Sequence, residues 1–266
     1  MSSSFTALDA TQYEHMMGRF SRQLARPFIA FAGIADGEAV LDVGCGTGSL
    51  TYELLASARD LAVTGVDYSD IFLAAARAKP GTSAVRFERG DAADLAMRNA
   101  SFDRALSLLV LHFVPESARA VGEMRRVVRP GGTVAAAVWD MRGGYLAQRM
   151  FWDTAACLLP GGEAGRARAY TRPLTRPGEI REAFEKAGLV DVAEATLTIR
   201  MDYAGFAEYW APIAGGEGPI GAYVTQLAPA ERETVAAAVR RAYEGGSADG
   251  PRSFAASALA CRARVP

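Results

Sequence analysis

The chain has 266 residues, half of them hydrophobic, enough to bury one substantial core with at most a small appended lobe. Its 29 Lys and Arg against 30 Asp and Glu leave a net charge of −1, so nothing in the bulk electrostatics favours nucleic acid or an anionic membrane as partner. Cys45, Cys157 and Cys261 lie far apart with no C-x-x-C pair, which argues against a disulfide framework or a metal site. The start has no basic region followed by an apolar block, so a cytoplasmic protein is expected, neither secreted nor membrane-spanning.

Residues 10–32 carry apolar and aromatic positions at helical spacing, from Tyr13 and Met16 to Phe28 and Phe31, and Pro27 predicts two helices joined near it. The apolar run Val40–Val43 predicts a buried strand that feeds directly into Gly44-Cys45-Gly46-Thr47-Gly48, followed by a helix over 48–58 with Leu50, Leu54, Leu55 and Ala58 on one face. Ordinary strand–helix turns rarely need three alternate glycines. Glycine is required where the backbone turns sharply, takes positive φ or must approach a ligand closely, and the following helix start offers unpaired N–H groups. A dinucleotide fingerprint would place its third glycine at position 49, where this chain has Ser49.

The next strand, 62–67, ends in Asp67, placed either to accept hydrogen bonds from ribose hydroxyls or to cap the helix predicted over 70–77. A third strand, 85–89, leads to Gly90-Asp91-Ala92, where Asp91 would suit an adenine amino group or cap the chain that follows. Strands over 102–108 and 133–138, with a helix over 116–128 between them, continue the alternation. That pattern predicts a parallel sheet with right-handed crossovers.

These blocks resemble the class I S-adenosylmethionine (SAM)-dependent methyltransferases. The resemblance rests on the Gly44/Gly46/Gly48 loop preceded by Asp42, on Gly65-Val66-Asp67-Tyr68-Ser69, on Arg89-Gly90-Asp91-Ala92, on Ser101–Ser107 and on Arg125–Thr133, and it runs over roughly residues 10–140 before resuming at the C-terminus. It implies an α/β, Rossmann-like fold: a seven-stranded, mostly parallel sheet in the order 3-2-1-4-5-7-6 with an antiparallel last strand. Residues 177–184 look like the helix before strand six, near 189–200, and 253–264 suit strand seven. The implied cofactor is SAM, leaving as S-adenosylhomocysteine (SAH), held by Gly44, Cys45, Gly46, Gly48, Asp67, Tyr68, Asp91, Ala92 and Leu108. Asp42 would support the glycine loop by bonding its backbone. Tyr13 and Arg22 are expected either to close over the cofactor, Arg22 pairing its methionine carboxylate, or to be solvated surface.

The chain divides into an N-terminal helical cap (1–38), a SAM-binding core (39–140), a helical insertion (141–177), a core helix and strand six (178–201), a second insertion or lid (202–250) and strand seven (251–266). The insertions are long for simple connections and rich in aromatic residues. Tyr145, Trp152, Trp210 and Tyr223 are the candidate substrate wall, although each taken singly also suits lobe core. One of only two histidines, His112, lies just past strand four, whose carboxyl end faces the transferred methyl in this fold. It is either a general base or a packed residue.

The expected activity is in-line methyl transfer to an O or N of a small molecule. Such a step needs alignment in a dry site more than covalent help, so the lack of a catalytic triad is no objection. The alternatives are a non-methylating enzyme on the same fold such as a cyclase, a SAM-binding protein without catalysis, and an NAD-dependent oxidoreductase, which Ser49 disfavours.

Overall fold

The structure, a computed structural model, describes residues 4–5, 8–81 and 85–266. One seven-stranded sheet has the order β3-β2-β1-β4-β5-β7-β6. Its strands are β1 (Ala39–Val43), β2 (Ala62–Asp67), β3 (Val85–Arg89), β4 (Phe102–Leu108), β5 (Val128–Trp139), β6 (Val190–Tyr203) and β7 (Arg252–Arg264). β1 to β5 pair in parallel, and β7 runs antiparallel to both of its neighbours, β5 and β6.

The central strands read as continuous apolar runs because helices cover both faces. On one face lie α2 (Arg19–Ala32) and α3 (Ser49–Ser57), whose Phe20, Leu24, Phe28 and Leu54 are buried against Val40 and Leu106. On the other lie α5 (Ser117–Val127) and α8 (Glu179–Lys186), where Met124 and Phe184 meet Leu41 and Val134. Between β2 and β3, α4 (Asp70–Arg77) starts where the Ser69 hydroxyl accepts the Phe72 N–H, and it buries Leu73 and Ala76 against Phe87.

Pro27 does not separate two helices. It lies inside α2, which runs unbroken to Gly33 in the left-handed cap conformation. The helix tolerates the lost hydrogen bond because Leu24, Ala25, Phe28 and Ala32 around the proline are all at least 99 % buried, and that burial outweighs a proline cost of about 3 kcal/mol. The departure from α geometry comes earlier, where α1 (Ala10–Tyr13) passes into a π-helical turn over Glu14–Gly18. Strand five also starts sooner than expected, at Val128 opposite Phe102, before an irregularity at Arg104.

The remaining helices are α6 (Leu146–Leu158) and α7 (Gly162–Tyr170) after β5, and α9 (Phe206–Ala214), α10 (Gly218–Thr225) and α11 (Pro229–Glu244) between β6 and β7. Both groups therefore leave from the carboxyl end of a strand. Phe151 and Trp152 of α6, Tyr209 of α9, Val224 of α10 and Val239 and Tyr243 of α11 share one apolar cluster with α2. No helix among the described residues is long and apolar enough to cross a membrane.

Candidate cofactor and substrate site

The carboxyl edge of the sheet is shaped first by the turn after β1. Gly44, Gly46 and Gly48 have φ of 78°, 53° and 87°, a conformation that costs an L-residue about 1–2 kcal/mol. The Val66 carbonyl accepts both Gly44 N–H (2.7 Å) and Cys45 N–H (2.9 Å), tying the turn to β2. A Cβ on Gly44 would overlap the γ-carbons of Val110, which comes from the segment after β4.

Asp67 closes this cradle. Its Oδ2 accepts Gly46 N–H and its Oδ1 accepts Ser69 N–H, each at 2.8 Å. Burial raises its pKa, and the donors from Ser69, Gly46 and Tyr68 oppose that rise. Each oxygen retains lone-pair capacity for a further donor, so pinning the turn and accepting ribose hydroxyls are compatible. Asp91 accepts Ala93 N–H at 2.9 Å through Oδ1, with Oδ2 outside that turn.

These groups face a cavity of about 590 Å³, in the range of small-molecule and cofactor sites. Gly44, Gly46, Asp67, Tyr68, Asp91 and Ala92 line it, and Tyr13, His112 and Tyr145 also reach it. The residues present fit SAM: a close-approach glycine turn, a carboxylate at the end of β2 and a second one after β3. The lining also includes apolar and aromatic residues, among them Trp139, Met141, Tyr203, Tyr209 and Ile213.

Other expected site residues lie elsewhere. Gly48 sits at the N-cap of α3, and the Cys45 sulfur is packed toward Gly65. Leu109, whose φ of 64° turns the chain after β4, faces the cavity in place of Leu108. Asp42 accepts the Thr51 hydroxyl at 2.6 Å instead of bonding the glycine-loop backbone, and burial pushes it up to about 7. Arg22 donates to Glu14 at 2.6 Å and does not line the cavity. Trp152, Trp210 and Tyr223 pack together around Phe151, away from the cavity lining, with the Tyr223 hydroxyl on the Pro160 carbonyl.

Glu14 was not legible as a site residue. It accepts from Arg22, from the Thr47 hydroxyl and from Lys79, while Lys79 also donates to the Thr47 carbonyl at 2.7 Å. Burial works against its charge, but the bonds from Lys79, Thr47 and Arg22 prevail and hold its carboxyl below the usual range. The π turn thus clasps the glycine loop, in keeping with the frequent placement of π turns at functional sites. Arg172 and Glu217 line the cavity too. Neither lies in a recognisable motif, and a glutamate in Gly215-Gly216-Glu217-Gly218-Pro219 reads as a solvated turn.

His112 is 1 % exposed, with neither ring nitrogen hydrogen-bonded. Burial, aided by the charge of Arg172, pushes its pKa down to about 3, which makes the ring neutral and weakly basic near pH 7. The Arg172 guanidinium lies 4.5 Å from the Phe113 ring centroid, and its own pKa is lowered by burial to about 10.

Comparison with known proteins agrees with this geometry. The family pattern described as a methyltransferase domain matches residues 41–136. Demethylmenaquinone methyltransferase of Staphylococcus aureus is 36 % identical over 177 residues, spanning 62 % of this chain and 73 % of that protein. The O-methyltransferase cnsE of Penicillium expansum is 37 % identical over 172 residues, 62 % of this chain and 58 % of the relative. Among solved structures, phosphoethanolamine N-methyltransferase 2 of Haemonchus contortus, in complex with phosphomonomethylethanolamine and SAH, superposes with a TM-score of 0.60 at 15 % identity, covering 97 % of this chain and 57 % of that one.

Proposed function

Given that the chain belongs to the class I SAM-dependent methyltransferases, we propose that it moves a methyl group from SAM to an oxygen or nitrogen of a small, largely apolar molecule. The observation that carries this reading is the one cavity lined both by Gly44, Gly46, Asp67 and Asp91 and by Trp139, Tyr145, Tyr203 and Tyr209. The O-methyltransferase and N-methyltransferase named above support the choice of acceptor atoms. When bound, SAM supplies an electrophilic methyl on a sulfonium that leaves as a neutral thioether.

The protein's part is to hold and enclose. Gly44 and Gly46 admit close approach, Asp67 orients the ribose and Asp91 the adenine, while the roof helices of 141–177 and 202–250 exclude water and align the acceptor. The test is to incubate the purified protein with SAM and the small-molecule fraction of a cell extract, following SAH and products heavier by one methylene by mass spectrometry. Substrate converted while SAM stays intact would instead establish non-methylating chemistry.

Asp67→Ala is expected to weaken SAM at least about tenfold by calorimetry, because charge-assisted hydrogen bonds contribute about 1.5–3 kcal/mol. The unliganded protein should also melt lower, since Gly46 and Ser69 lose their acceptor. Unchanged affinity with a lowered melting temperature would leave Asp67 a turn residue only.

We assign His112 to the cavity wall as a neutral ring, because a general base works best with a pKa near the operating pH. His112→Asn should keep the rate within about threefold, and the wild-type pH–rate profile should show no histidine limb between about pH 5 and 8. A loss of about 100-fold accompanied by such a limb would restore the general base.

Stability should respond to pH in a defined direction. An unfolded histidine takes a proton near 6.5, the folded one only near 3. In that window the unfolded state binds the extra proton, so the stability His112 contributes falls as pH falls, by about 1.4 kcal/mol per unit. Asp42 and Glu217, both raised to about 7, act oppositely: what they contribute is present at low pH and lost as pH rises. Urea unfolding of wild type and His112→Asn between about pH 4 and 6 isolates the histidine, because the carboxyls cancel in the difference.

A further inference from the structure

The turn between α9 and α10 places a carboxyl in the cavity wall with no evident structural task. Glu217 is 1 % exposed. It occupies the N-cap position of α10, yet its side chain caps no N–H of that helix. The nearby Asp9 backbone N–H favours the charged form of the carboxylate, while Asp9's own carboxylate is engaged with Thr11 and Gln12 N–H. Oε1 of Glu217 has no partner. No cation compensates it among the described residues; burial, with the charge of Asp9 adding to it, pushes the carboxyl up to about 7.

The turn is built to hold this position. Glu217 N–H donates to the Pro212 carbonyl at 3.1 Å, and Gly218, with φ of 66°, lies close against Met16 of the π turn. Met16, Pro212, Ile213, Pro219 and Ile220 line the same cavity as Glu217. A desolvated carboxylate oxygen left unpaired is costly. A ligand that brings a hydrogen-bond donor to it recovers that cost, and a ligand without one does not.

We propose that Glu217 is the specificity-determining contact for the methyl acceptor, its carboxyl recognising an N–H or O–H group on an otherwise apolar molecule. The proposal rests on the methyltransferase reading above and narrows it to acceptors that carry a proton-bearing amine or hydroxyl on a hydrocarbon or aromatic body.

The experiment reads binding and not turnover, so its failure is separable from a failure of the methyl-transfer reading. The full chain is saturated with SAH and titrated calorimetrically with naphthylmethylamine, naphthylmethanol and ethylnaphthalene, which share a body and differ in the donor. At about pH 8.5, above the raised pKa of the carboxyl, wild type should bind the amine and the alcohol at least about tenfold tighter than ethylnaphthalene, one hydrogen bond to a charged group being ample for that ratio. Whichever of the two binds more tightly identifies the kind of acceptor.

Glu217→Gln replaces one acceptor oxygen by an NH₂ donor, so the side chain can donate to a ligand where the carboxylate could only accept. The donor preference should then fall below about threefold, and acetylnaphthalene, which offers only an acceptor, should gain at least about fivefold. A packing role for Glu217 predicts no such reversal, and SAH affinity and melting temperature check that the variant is folded. Three results would overturn the proposal: no binding or no donor preference in wild type, a preference that survives Glu217→Gln, or a tenfold loss of SAH affinity in the variant, which would give Glu217 to the cofactor.

Discussion

Gly44→Ala is expected to weaken SAM binding about 100-fold or more and to destabilise the unliganded protein by about 2–5 kcal/mol. About 1–2 kcal/mol comes from holding an L-residue at φ of 78°. A further contribution of about 1–3 kcal/mol comes from overpacking, because the new methyl would sit on the γ-carbons of Val110. The protein relieves that clash by moving the turn away from the segment after β4, which shifts the backbone facing the cofactor. Gly46→Ala is the control. Its φ of 53° carries the same conformational cost, but its Cβ meets no protein atom within 4 Å, so its stability loss should be the smaller. Calorimetry and urea unfolding measure both. Equal stability losses would mean that the contact with Val110 is readily relaxed.

Trp152→Ala is expected to cost about 3–5 kcal/mol of stability, the usual range for emptying a buried aromatic site, while leaving SAM affinity within about threefold. Trp152 is 3 % exposed, and its ring lies 5.3 Å from Tyr223 and 5.1 Å from Phe151 between centroids. A Cβ on Gly165 would overlap the Trp152 ring, so α6 and α7 approach closely only because position 165 lacks a side chain. Domains are stable by roughly 5–15 kcal/mol in total, so this one ring carries a large share of the lobe's integrity. A well-folded Trp152→Ala with impaired substrate affinity would return the residue to the pocket wall.

The contrast between these two positions shows what the sequence made legible. Gly44 stands in a short-range pattern, strand then alternate glycines then helix, where each residue's task follows from its immediate neighbours. The same holds for β2 ending at Asp67 and for α4 over Asp70–Arg77, although the hydroxyl that caps α4 is that of Ser69 and not the Asp67 carboxylate the sequence offered. The sheet order was legible only through the family resemblance, since periodicity says nothing about which strand lies beside which.

Trp152 and Tyr145 looked alike in sequence because both are aromatic residues in the same insertion. Helical spacing tells which residues share a face, but not whether that face meets another helix or a cavity, and only Tyr145 reaches the cavity. Pro27 misled for a related reason: its local cost was visible, whereas the burial that outweighs it depends on long-range contacts. Glu14 and Glu217 were hidden because a carboxylate's partners come from distant segments, Thr47 and Lys79 for the first and Asp9 for the second.

The antiparallel β7 has a consequence for how the molecule is made. It pairs on one side with β5 and on the other with β6, over the registers Thr133–Trp139 and Val190–Tyr203, and it follows every other strand in the chain. A polypeptide emerging from the ribosome therefore presents β5 as an open sheet edge, and β6 as a strand without its partner, until the segment from Arg252 is free. During that interval α9 to α11 follow a strand that lacks its partner. Closure is a long-range event of the kind that slows folding, and until it occurs the exposed edge is a site for wrong pairing. The capture of β7 is thus the step that joins β6, and the helices that follow it, to the five-stranded sheet of β1 to β5.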